Sequence, residues 1–334
     1  MHNNYKMIDP ISARLSPRLT LLFFAITTLV VTLATSQPTF AAKAYVTNQS
    51  DETVTIIDLE NLKPTQTIKI GGSPAGIAVS KDGKKAYVTS PEGKFITELN
   101  LQTNKITRRI QVESAPLGVA IHPDSKTLYV ADWYKHVIYV IDTGSGTIKT
   151  QIPVGNSPSG LDVSADGNWL LSADRDSHQV SVINTKTLKV KTTIKVGNRP
   201  FGVTINKAGT RAYTANVKSN DISIIDLTSE KLIENVKVGN RPYAVALADN
   251  KAFVTDQYSE TVSVIDLNTS KRIKKIKVGE YPEGIMTGPD GKFVYVACWF
   301  SNLLMKIDAK TMEVVGKAET GDGPRAFGRF IKAD

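Results

Sequence analysis

The residues with the chemistry to make a site are few. His136 and His178 stand 42 positions apart, and Cys298, beside Trp299, is the only thiol in the chain. A pair of imidazoles at a repeated register suggests a divalent metal, which takes imidazole, thiolate or carboxylate ligands. Positions at the same spacing elsewhere carry Glu52, Lys94, Asn220, Glu260 and Asn302. Lysine is no ligand, so neither a metal nor any other cofactor is expected. A lone cysteine behaves as a small hydrophobe unless its surroundings lower its pKa, and Cys298 is expected to be inert. There is no G-x-S-x-G, no H-E-x-x-H and no C-x-x-C-H, so serine, zinc and covalent-haem chemistry lack their usual handles. No catalytic residue is assigned.

Binding chemistry is better represented. Arginine and large aromatic side chains dominate binding hot spots, and here they gather in short polar segments between apolar runs. One set, each beside a recurring proline, supplies Arg199, Phe201, Arg241, Tyr243, Tyr281 and Arg325. A second set, in longer connections, supplies Trp133, Tyr134, Arg175, Tyr258 and Trp299. Near Pro74 and Pro116 the corresponding residues are only Ser73, Ala75, Ala115 and Leu117. Bulky groups where other copies manage with Ser or Ala are not demanded by the repeat itself. These eleven residues are therefore the expected binding surface.

What must position them is a sevenfold repeat. Pro74, Pro116, Pro158, Pro200, Pro242, Pro282 and Pro324 recur every 42 residues, with one interval of 40. Tyr45, Tyr87, Tyr129, Leu171, Tyr213, Phe253 and Tyr295 repeat the same spacing, as do Asp58, Asn100, Asp142, Asn184, Asp226, Asp266 and Asp308. Within a unit, apolar runs of four to six residues alternate with turn clusters, the pattern of four short strands. Asp82-Gly83, Asp166-Gly167 and Asp290-Gly291 mark hairpins. The recurring Asp or Asn is expected to cap its own turn rather than to catalyse. Four antiparallel strands at this period predict an all-β fold, a seven-bladed β-propeller. The chain enters at a second strand, near Lys43, and ends on a lone first strand, Gly323 to Ile331, which is expected to complete the first blade and shut the ring.

Ahead of the repeats, Lys6, Arg14 and Arg18 precede an uncharged run from Leu19 to Ala34, then Ala41. This reads as a signal peptide over residues 1–41, shorter than a membrane span, with residues 42–334 forming one exported domain, periplasmic or secreted. A single cysteine leaves that domain without internal disulfides. The net charge of +9 invites a nucleic-acid reading, but seven windows over the outermost strands carry a net +14. Lysine-rich edges keep sheets from associating edge to edge, and they fit a monomer. The longer connections sum to −4 and the proline loops to −1. Nucleic acid is thus expected only along the basic rim, with strong salt dependence.

Tyr45-Val46-Thr47-Asn48, with V-G-x-x-P-x-G around Pro158 and again around Pro200, resembles the YVTN family of β-propeller repeat proteins over the whole of residues 42–334. The resemblance implies an exported seven-bladed propeller, with relatives that include nucleic-acid-binding periplasmic members and propeller subunits of amine dehydrogenases. Lactone hydrolases share the ring architecture. Glu113 and Thr320 depart from the V-G pattern. The expected function is non-enzymatic binding of a protein partner or small ligand on the loop face. A nucleic-acid-binding propeller, and a lactonase-like hydrolase or amine dehydrogenase subunit, are the alternatives.

Overall fold

Each repeat folds as a four-stranded antiparallel sheet, and seven such sheets follow one another in the computed structural model, which describes residues 42–333. The expected signal peptide lies outside the described residues. Blade 1 holds Lys43–Asn48, Thr53–Asp58 and Lys63–Lys69. Blades 2 to 7 open at Gly76, Pro116, Pro158, Pro200, Pro242 and Pro282. Among the described residues, no helix is long and apolar enough to cross a membrane.

The three landmarks do separate jobs. The Tyr45 series is the core, with all seven side chains at most 4 % exposed. Strand alternation explains this, since that position faces the adjoining blade. The Asp58 series caps turns as expected: in every copy the side-chain oxygen accepts the N–H two residues on. In each outermost strand only one position is buried, filled by Ile68, Ile110, Ile152, Ile194, Val236, Ile276 and Ala318. In the sixth blade, where the repeat is two residues short, Asp249 and Asn250 both take positive φ, the geometry of a two-residue type I′ hairpin.

The inner strands pack so closely that some positions admit no side chain. A Cβ placed on Gly118 would lie 1.7 Å from the Ser159 carbonyl oxygen of the next blade.

Ring closure uses the C-terminus, with one difference from the expected lone strand. Ile331 and Lys332 pair antiparallel with Ala44 and Lys43, and the Phe330 carbonyl accepts the Tyr45 N–H. Phe327–Arg329, however, pairs parallel with Gly76–Ala78 of blade 2. Gly328, at φ 119°, lets the chain cross from one blade to its neighbour. The last segment therefore ties blade 1 to blade 2 as well as completing blade 1.

Candidate functional site

The loops entering the inner strands and those joining the second and third strands meet on one face. Their backbone is set by two left-handed positions, one found in six of the seven copies and one in all seven. The first precedes the proline, at Ser73, Ser157, Arg199, Arg241, Tyr281 and Gly323. The second holds Glu52, Lys94, His136, His178, Asn220, Glu260 and Asn302. The two are joined across blades: His136 Nδ1 accepts the Ser157 N–H (3.0 Å), His178 Nδ1 accepts that of Arg199 (3.0 Å), and Asn220 Oδ1 accepts that of Arg241 (2.9 Å). The two histidines thus serve as scaffold acceptors. Among the described residues no three His, Cys, Asp or Glu side chains converge in a metal-binding arrangement.

The eleven expected site residues fall into two groups. Phe201 and Tyr243 are 7 % and 3 % exposed and form a plug across the ring. Their rings lie 4.3 Å apart, and Phe327 stands 5.1 Å from Phe201 and 5.4 Å from Tyr243. Trp133 caps this stack at 6.2 Å from Phe201. Ala75 and Leu117 belong to the same cluster, so the small residues of those copies make room for the large ones opposite.

Arg325 joins the plug from its polar side. Its Nε donates to Glu283 Oε2 (2.8 Å) and its Nη2 to the Tyr243 hydroxyl (2.6 Å). Gln257 Nε2 donates to Glu283 Oε1 (2.8 Å), and Arg241 Nε donates to Gln257 Oε1 (2.6 Å). A continuous chain of polar contacts therefore runs from Arg241 at the surface to the buried Glu283. Desolvation works against the Arg325 charge, but Glu283 and Tyr243 outweigh it and raise its pKa.

The second group is the open surface. Arg175 stacks over Trp133 at 5.4 Å and Arg241 over Tyr258 at 5.0 Å. Tyr281 touches the rings of Tyr258, Trp299 and Phe300 within 5.2–5.7 Å. Tyr134, Tyr258 and Phe300 are 72 %, 62 % and 64 % exposed. Among the described residues, Asp176 is the only carboxylate that ion-pairs with the loop-face arginines, at 2.9 Å from Arg175 and 3.3 Å from Arg199. Burial lowers the Arg175 pKa; Asp176 opposes this, while Arg199 and Arg241 add to it. Arg175 and Arg199 share Asp176, and Arg241, which donates to Gln257, stands near enough to act on Arg175.

The window tally overstates the negative charge presented on this face, although Asp51, Glu92, Glu280 and Asp322 remain exposed there. Asp132, Asp174 and Asp256 are fully buried and Glu283 is 3 % exposed. Glu52, Glu113 and Glu260 pair sideways with Lys69, Lys135 and Lys277. A tally by sequence window treats every carboxylate as presented to solvent, whereas strand parity turns the last residue of each second strand into the blade. Cys298 occupies that inward position, and burial pushes its thiol up to about 12. It is not a nucleophile at neutral pH.

Behind the plug lies an open cavity of ≈ 580 Å³, which extends toward the hairpins carrying Lys81, Pro123, Ala165 and Lys207. Sequence reasoning missed its distinctive residues, though each breaks the repeat. Asp162 stands where other copies have Ala78, Ala120, Thr204, Ala246 and Met286, and Phe327 replaces a run of Ile, Val and Leu. Gln257 was missed too. It shares a register with Gln49, Trp133, Arg175 and Trp299, and Gln49 likewise reaches Arg325 (3.2 Å).

The model of the YNCE-like β-propeller family matches residues 40–124. No curated protein matches the chain. Among solved structures, a functionally unknown protein from Desulfotomaculum acetoxidans superposes with a TM-score of 0.72 at 18% identity, covering 86% of this chain and 99% of that one. Hydrazine synthase of Kuenenia stuttgartiensis does so with a TM-score of 0.70 at 20% identity, covering 76% and 89% respectively. At such identities the likeness is one of fold, and it agrees with the seven blades: the chain is a β-propeller.

Proposed function

We propose that this chain is an exported binding propeller, periplasmic or secreted and acting as a monomer, whose loop face takes an acidic segment of a protein partner. The observation that carries this reading is the cluster of Arg175, Arg199 and Arg241, of which Arg175 and Arg199 pair with Asp176, the one carboxylate paired with the cluster among the described residues, with exposed rings beside it. Guanidiniums bind carboxylates bidentately, and rings with few rotatable bonds lose little entropy on contact. A non-catalytic role is supported by the structural use of His136, His178 and Cys298. The test is co-purification from the native compartment with wild-type protein and with an Arg199→Ala, Arg241→Ala, Trp299→Ala variant. The variant should lose the associated protein at least about tenfold. Equal recovery by both would end the proposal.

A second reading, single-stranded nucleic acid, is favoured by the alternation of guanidiniums with the exposed Tyr258 and Phe300. Bases stack on such rings while cations follow the phosphates. It moves the nucleic-acid expectation from the basic rim to the loop face. Anisotropy of a labelled oligothymidine, titrated at about 50 mM and about 200 mM salt, distinguishes the two readings. Binding through the face is lost in the triple variant, whereas binding through the rim persists.

A further inference from the structure

The cavity behind the plug is independent of the loop face. Its walls are aliphatic, including Val119, Leu161, Val203, Val245 and Ile285, and Phe327 lines it as well as the plug. Four charged residues interrupt that lining, and Asp162 is the one acid among them. Asp162 Oδ2 accepts the Ile205 N–H of the next blade (2.7 Å) and Oδ1 accepts the Val163 N–H (2.9 Å). A carboxylate has about four acceptor sites, so two remain. Arg329, brought in by the C-terminal crossing, is exposed, and its guanidinium makes no hydrogen bond or ion pair among the described residues. Its field reaches Asp162, yet the two do not pair. Burial pushes Asp162 up to about 6 despite that field. Lys81 and Lys207 are the other charged groups lining the cavity.

A strut between blades does not require a charge here, because Thr204 at the same register bridges to the Val245 carbonyl with a hydroxyl (2.7 Å). Opposite charges on one apolar wall, felt but not joined, form a receptor for a molecule that carries both complements. We propose that this cavity binds a small zwitterion with an apolar body, its ammonium on Asp162 and its carboxylate on Arg329. A ≈ 580 Å³ cavity is of ordinary ligand-pocket size. A zwitterion meets Asp162 and Arg329 at once, whereas a singly charged ligand meets only one of them, which sets the selectivity.

Calorimetry on residues 42–334 with L-phenylalanine, 2-phenylethylamine and 3-phenylpropionate tests this. Phenylalanine should bind at least about tenfold more tightly than either singly charged analogue. Arg329→Gln should reduce phenylalanine to the level of the amine, and Asp162→Asn, which keeps an acceptor for Ile205, to that of the acid. Arg329 is exposed, so its variant carries the test even if Asp162→Asn lowers stability. Trp299→Ala, on the opposite face, should leave all three affinities unchanged. The proposal is overturned if none of the three binds, if they bind equally, or if folded Arg329→Gln protein retains the preference for phenylalanine.

Discussion

At the residue scale, one inward register position serves different chemistries: Asn48, Ser90, Asp132, Asp174, Asn216, Asp256 and Cys298, all buried. Asp256 accepts the Ser263 hydroxyl (2.7 Å), the Thr261 hydroxyl (3.1 Å) and the Gly239 N–H (2.9 Å). Burial outweighs these bonds and raises its pKa from 3.8 to about 6. Below about pH 4 the carboxyl is protonated whether the chain is folded or not. Between about pH 4 and about pH 6 the folded state keeps a proton that the unfolded state releases, so stability falls as pH rises and stays lower above that window. The full cost is about 3 kcal/mol. Asn216 fills the same place neutrally, donating to Ser223 and Asp221 (both 2.9 Å). Asp256→Asn should therefore remove its share of the fall and raise stability near pH 7.5 by about 1–3 kcal/mol, read from urea unfolding at both ends of the window. An unchanged pH dependence would refute the assignment. Arg199 makes the converse case. Its φ of 60° strains a side chain that Gly323 avoids in another copy. Arg199→Gly should stabilise the fold by up to about 1 kcal/mol while weakening partner binding, a split seen at positions kept for function.

At the element scale, the repeat was legible because each landmark has one physical task in every copy: a large buried side chain, a proline at or just before the inner strand, a side chain closing a turn. The loop face was legible only in part. Arg241, Tyr258 and Trp299 announced themselves as bulk where small residues suffice, but Phe201 and Tyr243 gave the same signal and turned inward to plug the ring. Which of two bulky residues points out depends on whether a facing blade offers space, and no single repeat contains that information. How much of the face's negative charge reaches solvent was lost for a related reason, since the inward turn of Asp132, Asp174 and Asp256 is a matter of strand parity at the last residue. The inner strands give the sharpest prediction at this scale. Gly118→Ala would drive a methyl into the Ser159 carbonyl and should destabilise the protein by about 3 kcal/mol or more. Gly209→Ala has open space around its Cβ and only the cost of a positive φ, about 1 kcal/mol. Thermal unfolding of the two variants side by side separates packing from backbone conformation. Similar losses would mean that adjacent inner strands can move apart.

At the scale of the whole molecule, a ring differs from an open array in having no end repeats, and here the last few residues make that difference. Residues 324–332 supply Phe327 to the plug, Phe330 and Ile331 to the blade 1 core, Arg325 to Glu283, and pairing to both Lys43–Ala44 and Gly76–Ala78. Burying three such apolar side chains contributes about 1.5–3 kcal/mol each. Removing one partner of a buried ion pair costs about 3–5 kcal/mol more. The total, on the order of 10 kcal/mol, rivals the whole stability of a typical domain. Deleting residues 322–334 should consequently leave a chain that does not fold or that melts on the order of 20 °C lower. Removing only Ala333 and Asp334 should change little. If the longer deletion melted with the intact protein, the blades would be holding one another without the closing strand, and the molecule would behave as an open stack in which each repeat depends only on its neighbours.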